Sequence, residues 1–543
     1  MKKVLALVLA LVMMVSLVAC GSKDTATTDA GNSGSTSSSP AGNKVEVAES
    51  STAEVITEVE EGKQIKDEFV WLVSTAAPFI NVFQAGADAS QGAMNHLYGD
   101  TLITMTQDFQ YKPCLAASWD VNEECTDFVF HLRDDVYFHN GEKMTADDFV
   151  YTATRGNENP GCHINSVSKK FASIEALDDT TLHITTTVSE YDYLDTFSAV
   201  NGFIAMNRKA CEADPEKGQW IGTGPYMIES FEASNQTKFV KNEKYWDAEN
   251  MGVSNKITMK YVGEETAQHI MLDNGECDFV QVRGVYITQY GSKPGYKTLS
   301  YTGNNCNYLS MNTIKPPLDD VNLRLAINYA IDIQEIIDIA FTGYATPVKN
   351  GALWGYHVPY RNESLQIRER NLELAKEYLA KSSYNGEELL LGAGMADNIA
   401  MATVMQAQLE QIGIKVKIHQ TDFVSLLAMT GSGKTDLDMV CSVQVFSTLS
   451  PTGINNACYD NSWNTANWVD EEAKELAEKN PNLPYNEERI AMYQRIQEII
   501  YEQVPYIPLL HYQMFYACPE NVEGIRIYTN ANHDVSQAFA YVD

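Results

Sequence analysis

The sequence has 543 residues and carries 72 acidic against 39 basic side chains, which gives a formal net charge of −33. This balance argues against nucleic acid as a partner, because nucleic-acid binding needs a basic surface. A chain of this length is too long for one simple hydrophobic core, so two or three lobes are expected.

The first residues have the pattern of an export signal. Lys2 and Lys3 precede the apolar run LALVLALVMMVSLV, which is short for a membrane-spanning helix and ends in LVACG. This ending resembles a bacterial lipobox, in which cleavage before the cysteine leaves a lipid-carrying N-terminus. We expect a signal peptide at residues 1–19 and lipidation of Cys20; the alternative is an ordinary secretory signal with a chance cysteine.

The next residues, 20–68, are small and polar at first and acidic later. They cannot bury enough apolar surface to fold, so a disordered tether is predicted. Together with the signal, this tether predicts a body held at the outer face of the cell membrane, in the periplasmic space or at the cell surface.

The body alternates strands and helices, which predicts a mixed α/β protein. Strands are predicted at FVWLVSTA, TLHITTTV, KITMKYV, CDFVQV, LLLGAG, KVKIHQTD and IPLLHY. Helices are predicted at QGAMNHLYGDTLITM, EETAQHIMLDNGE, DVNLRLAINYAIDIQEIIDIAF, NLELAKEYLAKSSY, NIAMATVMQAQLEQIGI, EEAKELAEKN and NEERIAMYQRIQEIIYEQVP.

Two hairpins and a capped helix complete the pattern. A hairpin closed by HNGE is predicted to place Phe128, Phe130 and Leu132 on one face and to continue through Val136 and Phe138. A second hairpin is predicted across EASNQ. The helix TADDFVYTATR is predicted to begin after an N-cap at Thr145, with acidic residues in its first turn.

The segment Ala428–Leu437, AMTGSGKTDL, matches the spacing of a phosphate-binding loop. Such a loop follows a buried strand and opens a helix, so that helix N–H groups point at the phosphates. Here the order is reversed, because DFVSLLAM has helical spacing and TDLDMVCSV has the pattern of a strand. The segment is therefore interpreted as a helix-to-strand loop, and a body outside the cell would also lack ATP.

Cysteine, histidine and catalytic motifs are sparse in the body. Nine cysteines besides Cys20 are scattered without a C-x-x-C, so buried thiols are expected rather than a disulfide framework. His131 and His139 are assigned structural roles, and no nucleophile-plus-base motif is present. The residues themselves predict no catalytic site, no metal site and no cofactor. They favour a receptor that traps a solute between lobes, with an extracytoplasmic hydrolase as the alternative class.

Six ordered motifs then carry a family resemblance. The stretch LAASWDVNEECTDFVFHLRDDVYFHNGEKMTADDFVYT resembles one found in the oligopeptide- and dipeptide-binding lipoproteins of ABC importers, family 5 of the extracellular solute-binding proteins. GTGPYMIESF with KNEKYWD, LDNGECDF, MNTIKPPLDDVNLRLAINYAID, LEQIGIKVKI and QVPYIPLLHY are similar to its later elements. The resemblance runs from about Phe69 to the end of the chain.

The resemblance implies a two-lobed clamp of the periplasmic-binding-protein type with an additional inserted domain and mixed sheets. Family members close over a ligand and present it to a membrane permease. The implied boundaries are 69–101, 201–300 and 506–543 for a discontinuous lobe I, 102–200 for an inserted lobe II, and 301–505 for lobe III.

Most of the shared motif residues are expected to be structural. Trp119 and Tyr226 are expected to pack in a core, and Arg133 to form an ion pair. Asp148 is expected to start a helix. Gly222 and Gly224 are expected to serve a tight turn.

Ligand-binding candidates follow from the resemblance in the segment after the glycine loop. Peptide-binding relatives carry there an aspartate for the peptide ammonium, and this position falls on Ser447. A tryptophan and an arginine of the same pocket fall on Gln444 and Cys441. A neutral serine gives no charge pairing, which weakens a peptide ligand but not a solute receptor. Asp88 could supply a replacement charge, with a solvated loop acid as the alternative.

Aromatic and amide residues downstream give further candidates. The stretch CYDNSWNTANW contains Asn461, Trp463, Asn464 and Trp468, which suit a pocket that stacks on one face of a ligand and hydrogen-bonds on another. A loop that only packs is the alternative interpretation. Trp354, in GALWGYHVP, is the remaining candidate. Nickel and haem occur as ligands in the family, but no His or Met cluster favours either one.

The sequence thus predicts a monomeric, lipid-anchored solute-binding receptor of an ABC importer, without catalysis of its own. Its partners are predicted to be two permease subunits with cytoplasmic ATPases and a peptide or peptide-like solute. An oligosaccharide, an opine or a similar amide-rich solute is the alternative ligand. A surface hydrolase and a sensor without transport are the alternative functions.

Overall fold

The computed structural model describes residues 59–60, 62–75, 77, 79–84, 89–105, 111–187, 193–198, 203–351, 360–430, 435–445, 452–459, 464–483, 486–527 and 533–542. The predicted signal peptide and most of the predicted tether lie outside these residues. Within them, no helix combines the length and the apolar character needed to cross a membrane.

The strands of the described body, in chain order, are Glu68–Val73 (β1), Ile103–Met105 (β2), Tyr111–Pro113 (β3), Ala116–Val121 (β4), Asp127–Leu132 (β5), Phe171–Asp178 (β6), Thr181–Thr186 (β7), Tyr226–Glu232 (β8), Gln236–Lys241 (β9), Lys256–Tyr261 (β10), Val280–Val282 (β11), Tyr296–Thr302 (β12), Asn305–Met311 (β13), Ala345–Pro347 (β14), Glu388–Ala393 (β15), Lys415–Gln420 (β16), Met439–Val445 (β17), Tyr506–Pro519 (β18), Val522–Glu523 (β19), Arg526–Ile527 (β20), His533–Asp534 (β21) and Phe539–Ala540 (β22).

The α-helices are Ala89–Tyr98 (α1), Ala146–Glu158 (α2), His163–Ser168 (α3), Tyr193–Ser198 (α4), Arg208–Ala213 (α5), Glu265–Asp273 (α6), Val285–Gly291 (α7), Val321–Ala330 (α8), Ile333–Ala340 (α9), Leu372–Lys381 (α10), Ala396–Glu410 (α11), Phe423–Thr430 (α12), Thr452–Asn455 (α13), Glu471–Lys479 (α14) and Glu487–Gln503 (α15).

Three sheets organise the body. One four-stranded sheet has the order β1-β10-β9-β8, and another has the order β4-β5-β7-β6. The third has eight strands in the order β11-β18-β13-β17-β15-β16, with β12 and β14 also paired to β18. Parallel pairs (β1 with β10, β15 with β16 and β17) occur beside antiparallel ones, so the sheets are mixed as predicted.

Strand β18 is the element that unites the largest sheet. Its first residues pair with β13, its middle residues with β14, and Gln513–Pro519 with β12, while Phe515–Ala517 also pair with β11. The pattern IPLLHY predicted only the first part of this strand. The sequence did not predict the remainder, because its apolar and polar residues do not alternate clearly. Those residues pair with β11 and β12 rather than with β13.

Several local predictions are confirmed. Helix α2 begins after Thr145, and the Asp148 carboxylate accepts hydrogen bonds from Thr145 N (2.9 Å), Thr145 Oγ1 (3.1 Å) and Arg208 N (3.0 Å). Strands β8 and β9 form the second predicted hairpin. Tyr226 is fully buried, Trp119 packs half-buried against a core cluster, and Arg133 pairs with Asp135 through two hydrogen bonds of 2.8 and 2.9 Å.

The predicted hairpin closed by HNGE is wrong in its strand pairing. Phe128 and Phe130 are fully buried as expected, but β5 pairs with β4 and β7 rather than with residues 136–138. The HNGE turn closes only a single bridge between Tyr137 and Lys143. The Arg133–Asp135 ion pair lies in the bend that follows β5.

The long helix predicted at DVNLRLAINYAIDIQEIIDIAF is two helices, α8 and α9. Ile331 has an extended backbone, and the Asp332 carboxylate accepts from Glu335 N at 3.1 Å as the N-cap of α9. The Gln408 side chain also bonds both the N–H and the C=O of Asp332, at 3.1 Å each. A distant side chain therefore stabilises the break, and the helical spacing does not reveal it.

The nine cysteines of the body are thiols, eight of them buried and Cys114 half-buried, which confirms that prediction. Helix α12 precedes and β17 follows the glycine-rich loop, so the predicted helix-to-strand order is also confirmed. A phosphate-binding loop needs the opposite order. Residues 431–434 themselves lie outside the described residues.

Candidate functional site

A cleft of about 140 Å³ opens beside the middle of β18. One wall is the end of β11 with the start of α7, and the other is the start of α11 with the end of α9 and Val443 of β17. Tyr344, Tyr512 and Phe515 give it an aromatic lining. Its polar lining is Gln281, Arg283, Asn307, Asp397, Asn398 and Gln513.

The course of β18 explains why a cleft forms here. The register between β13 and β18 shifts next to Asn307, so that Leu510 pairs with Asn307 but Pro508 pairs with Tyr308. A proline cannot donate to the ladder, and such an irregularity redirects a strand. The Asn305 side chain holds the redirected strand by accepting from Tyr512 N (2.9 Å) and donating to Tyr512 O (3.1 Å).

Asp397 is the unusual charge in the cleft. It lies half-buried in the first turn of α11, and in the described part of the chain its carboxylate has neither a hydrogen bond nor a salt bridge. Burial raises the pKa of Asp397, the positive charge of Arg283 opposes that rise, and Glu265 adds to it. Burial therefore makes the ionised carboxylate costly, and the nearby charge of Arg283 offsets part of that cost.

Arg283 is the cation in the same cleft. Its side chain is exposed, and its Nη2 donates a long hydrogen bond of 3.3 Å to Gln281 Oε1. The guanidinium makes no salt bridge with a described carboxylate, so it can still receive an anionic group. The cleft thus contains one carboxylate and one guanidinium that form no salt bridge with a described residue.

Two buried asparagine side chains also line the cleft. Asn307 and Asn398 are 2% and 1% exposed, and Asn307 Nδ2 donates to Asn398 Oδ1 at 3.4 Å. Among the described residues, Asn307 Oδ1 and Asn398 Nδ2 have no hydrogen-bond partner. The pair therefore leaves one buried acceptor and one buried donor unpaired next to the cleft, which is costly.

A wider open depression of about 460 Å³ lies elsewhere, lined by Arg155, Glu158, Arg208 and Glu212 among others. Its charged groups already pair with one another: Arg155 with Glu158 at 2.6 Å and Arg208 with Glu212 at 2.9 Å. The smaller cleft is the better candidate site, because the charged side chains of Asp397 and Arg283 in it form no salt bridge with a described residue.

The structure separates the sequence-predicted candidates on β17. Cys441 is fully buried in a hydrophobic core cluster, and burial raises the pKa of its thiol far above the ordinary value. Gln444 is half-buried and donates to Val445 O at 3.3 Å. Neither side chain lines the cleft, whereas Val443, between them, does. Side chains alternate along a strand, so Gln444 and Val443 lie on opposite faces.

The Asn464 side chain makes packing hydrogen bonds within the protein, as in the alternative interpretation of this loop. Its Nδ2 donates to Trp468 O (2.7 Å), and its Oδ1 accepts from Trp468 N (3.0 Å) and from the Tyr506 hydroxyl (2.9 Å). Trp468 is itself buried, and its Nε1 donates to Gln503 Oε1 at 2.7 Å. The Asn464 side chain is thus tied to Tyr506 of β18 and to Trp468, and it is not among the residues that line the cleft.

The other candidates, Cys20, Asp88, Trp354, Ser447 and Trp463, lie outside the described residues. Their predicted roles stay predictions. In the part of the chain that the structure describes, no three or more His, Cys, Asp or Glu side chains are grouped to hold a metal ion.

Sequence reasoning missed Asp397, Arg283, Asn307 and Asn398. One signal was available, because asparagine is rare in strands and GNNCNYLSMN places four asparagines in and around a strand. Asp397 gave no such signal, since an acid in the first turn of a helix is ordinary.

The chain is similar in sequence to known solute-binding proteins. The profile described as bacterial extracellular solute-binding proteins, family 5, matches residues 110–466. The chain is 26% identical to heme-binding protein A of Haemophilus influenzae over 455 residues, 76% of this chain and 81% of that protein. It is 24% identical to the dipeptide-binding protein of Pseudomonas aeruginosa over 501 residues, 82% of this chain and 90% of that protein.

The fold is also similar to that of a solved structure. The ABC transporter substrate-binding protein CtaP of Listeria monocytogenes superposes with a TM-score of 0.79 at 20% identity, over 88% of this chain and 100% of that one. The predicted α/β fold, a two-lobed clamp with an additional inserted domain, is confirmed. The predicted domain boundaries stay predictions.

Proposed function

Since the chain belongs to the family 5 extracellular solute-binding proteins, we propose that it is the receptor of an ABC importer for a peptide or peptide-like solute. In this role it traps the solute in a cleft and presents it to two permease subunits that are driven by cytoplasmic ATPases. It acts as a monomer, and it performs no chemistry on the solute.

The observation that supports a peptide-like ligand is the composition of the cleft beside β18. Asp397 and Arg283 line the cleft and carry opposite charges, and neither forms a salt bridge within the part of the chain that the structure describes. A ligand that carries both charges satisfies both groups. One relative is named for binding dipeptides, which agrees with this ligand class.

Thermal unfolding with a ligand panel tests the proposal. The chain from about Ser22 would be melted alone and with dipeptides to hexapeptides, oligosaccharides, opines, nickel chelates and MgATP. A ligand at a hundred times its dissociation constant stabilises the bound fold by about 2.7 kcal/mol, so at least one short peptide should raise the melting temperature. A rise with oligosaccharides or opines alone would refute a peptide ligand and keep the receptor role. Hydrolysis of a bound peptide would refute the receptor role itself.

We also propose that the receptor is anchored by lipid on Cys20, on the strength of the LVACG sequence. One or two buried acyl chains give reversible or stable membrane binding according to their number. In a bacterium that lipidates such signals, the wild-type chain should sediment with membranes and Cys20→Ser should not. Equal sedimentation of the two would contradict lipidation. Cys114→Ser is the control, because that residue lies within the folded body.

A further inference from the structure

Three surface turns within the described residues share the tripeptide Asn-Gly-Glu. They lie at residues 140–142, 274–276 and 385–387. Each asparagine is exposed, and the following glycine has a positive φ of +84°, +73° and +94° respectively. Glycine leaves its own backbone nitrogen open to reaction because it carries no Cβ. In sequence, exposure and glycine conformation, the three asparagines are therefore equally suited to lose their side-chain amides.

The glycine nitrogen decides whether this loss can occur. It must give up its proton and attack the carbonyl carbon of the preceding asparagine side chain. A nitrogen whose N–H is donated to a backbone carbonyl is not free to do so until that bond opens. Gly141 N donates to Phe138 O at 2.8 Å, and Gly275 N donates to Leu272 O at 3.1 Å. Two of the three turns are therefore protected by a backbone hydrogen bond.

Gly386, in the third turn, differs from the other two glycines at this atom. No acceptor for its N–H lies among the described residues, although its carbonyl accepts from Lys415 Nζ at 3.3 Å. The turn joins helix α10 to strand β15, and water reaches the Asn385 side chain. The nitrogen and the carbon that must react are thus adjacent in the chain, and no described backbone bond competes for the nitrogen.

We propose that Asn385 is a site of spontaneous deamidation, and that the folded chain is modified there ahead of Asn140 and Asn274. The Gly386 nitrogen bonds to Cγ of Asn385 and loses its proton to solvent, the Cγ–Nδ2 bond breaks, and Nδ2 takes up a proton and leaves as ammonia. The resulting five-membered succinimide adds one water molecule at either carbonyl and opens to aspartate or isoaspartate. The net change converts one amide and one water into one carboxylic acid and one ammonia. Asn385 is not among the residues that line the cleft beside β18, so this modification is separate from ligand binding.

Side-chain hydrogen bonds do not separate Asn385 from Asn274. Asn385 Nδ2 donates to Ser383 O at 2.9 Å, and Asn274 Nδ2 donates to Glu276 Oε1 at 3.0 Å. The leaving amide therefore breaks one hydrogen bond of similar length in each turn. Asn274 is the matched internal control, because it shares the tripeptide, the exposure and the side-chain bonding of Asn385.

The product of the reaction differs from the parent chain in charge. Asn385 N donates to Glu387 Oε2 at 2.8 Å, so the new carboxylate forms next to an existing one. Lys415 supplies a positive charge at the same turn. Each modified chain gains one negative charge, and the isoaspartate form also adds one carbon to the main chain before β15. Ion-exchange chromatography therefore separates modified from unmodified protein.

Timed incubation of the folded chain from about Ser22 at mildly alkaline pH tests the inference, because the reacting nitrogen must lose a proton. Peptide mass spectrometry would follow the acid form at each Asn-Gly-Glu turn. Asn385 should react at least about fivefold faster than Asn140 and Asn274, the ratio that corresponds to one backbone hydrogen bond. In urea, where no turn retains its hydrogen bond, the three sites should react at similar rates. Neither comparison depends on a variant that folds.

Two variants then assign the acidic species to a residue. Asn385→Gln should lower its early formation on ion exchange, whereas Asn274→Gln should leave it unchanged. Three results would overturn the inference: equal rates at Asn385 and Asn274 in the folded chain, the same lead of Asn385 in urea, or an acidic species that falls in Asn274→Gln alone. Each result reports covalent change, so none of them depends on which solute the receptor binds.

Discussion

Replacing Asp100 by alanine is expected to lower the free energy of unfolding by about 4 kcal/mol. The Asp100 carboxylate is buried and accepts hydrogen bonds from Thr223 Oγ1 (2.8 Å), Tyr245 Oη (2.9 Å) and Trp246 Nε1 (3.0 Å). Its removal leaves three donors without an acceptor, and each unsatisfied buried donor costs roughly 1–3 kcal/mol. Alanine supplies no group that could replace these bonds.

Urea unfolding followed by far-ultraviolet circular dichroism would measure this loss of stability. Asp120→Ala is the matched control, because that carboxylate is exposed and its ion pair is with the half-exposed His131 at 3.0 Å. An exposed pair of this kind contributes less than about 1 kcal/mol. A loss at Asp100 no larger than the loss at Asp120 would refute the structural role.

Asp100 also explains why two of the family motifs occur together. Thr223 belongs to GTGPY, whereas Tyr245 and Trp246 belong to KNEKYWD. The motifs are separated by the β8–β9 hairpin, and the carboxylate joins them. Burial raises the pKa of Asp100, and the three hydrogen bonds lower it. The motifs therefore identify the family through its framework rather than through its ligand.

The fold could be predicted from the sequence wherever local pattern decides the structure. The N-cap at Thr145 and the β8–β9 hairpin follow from cap chemistry and alternation, and both are present. The break at Asp332 could not be predicted, because the Gln408 side chain that holds it lies far along the chain. The same limit applies to β18, whose second half follows β11 and β12 rather than its own alternation.

The candidate site was less predictable than the fold for a related reason. Resemblance directed attention to the segment around Ser447, which lies outside the described residues, and to Cys441, which lies in a core. The cleft instead joins the end of β11 to the start of α11, and its importance comes from groups that lack partners. Whether a side chain has a salt-bridge or hydrogen-bond partner depends on the folded structure. No local sequence pattern can therefore predict it.

Gly222→Ala is expected to destabilise the fold by about 3 kcal/mol, because a Cβ at Gly222 would lie 1.8 Å from the Tyr98 carbonyl oxygen. The backbone φ of Gly222 is not positive, so close approach of the Tyr98 backbone, rather than a left-handed conformation, requires glycine here. His139 fixes the segment from the other side, since its Nδ1 accepts from Gly222 N at 3.2 Å. Burial lowers the pKa of His139 to about 4, so the ring is neutral at pH 7 and can accept this bond.

A second glycine near the same histidine separates the effect of space from the effect of backbone conformation. Gly141 has a φ of +84°, and a Cβ added there would have no atom within 4 Å. Gly141→Ala should therefore cost only about 1–2 kcal/mol, the strain of a left-handed alanine. Urea midpoints for the two variants should rank Gly222→Ala as clearly less stable. The reverse order would mean that the α1 end moves aside at little cost, and that the Gly222–Tyr98 contact does not fix the position of GTGPY.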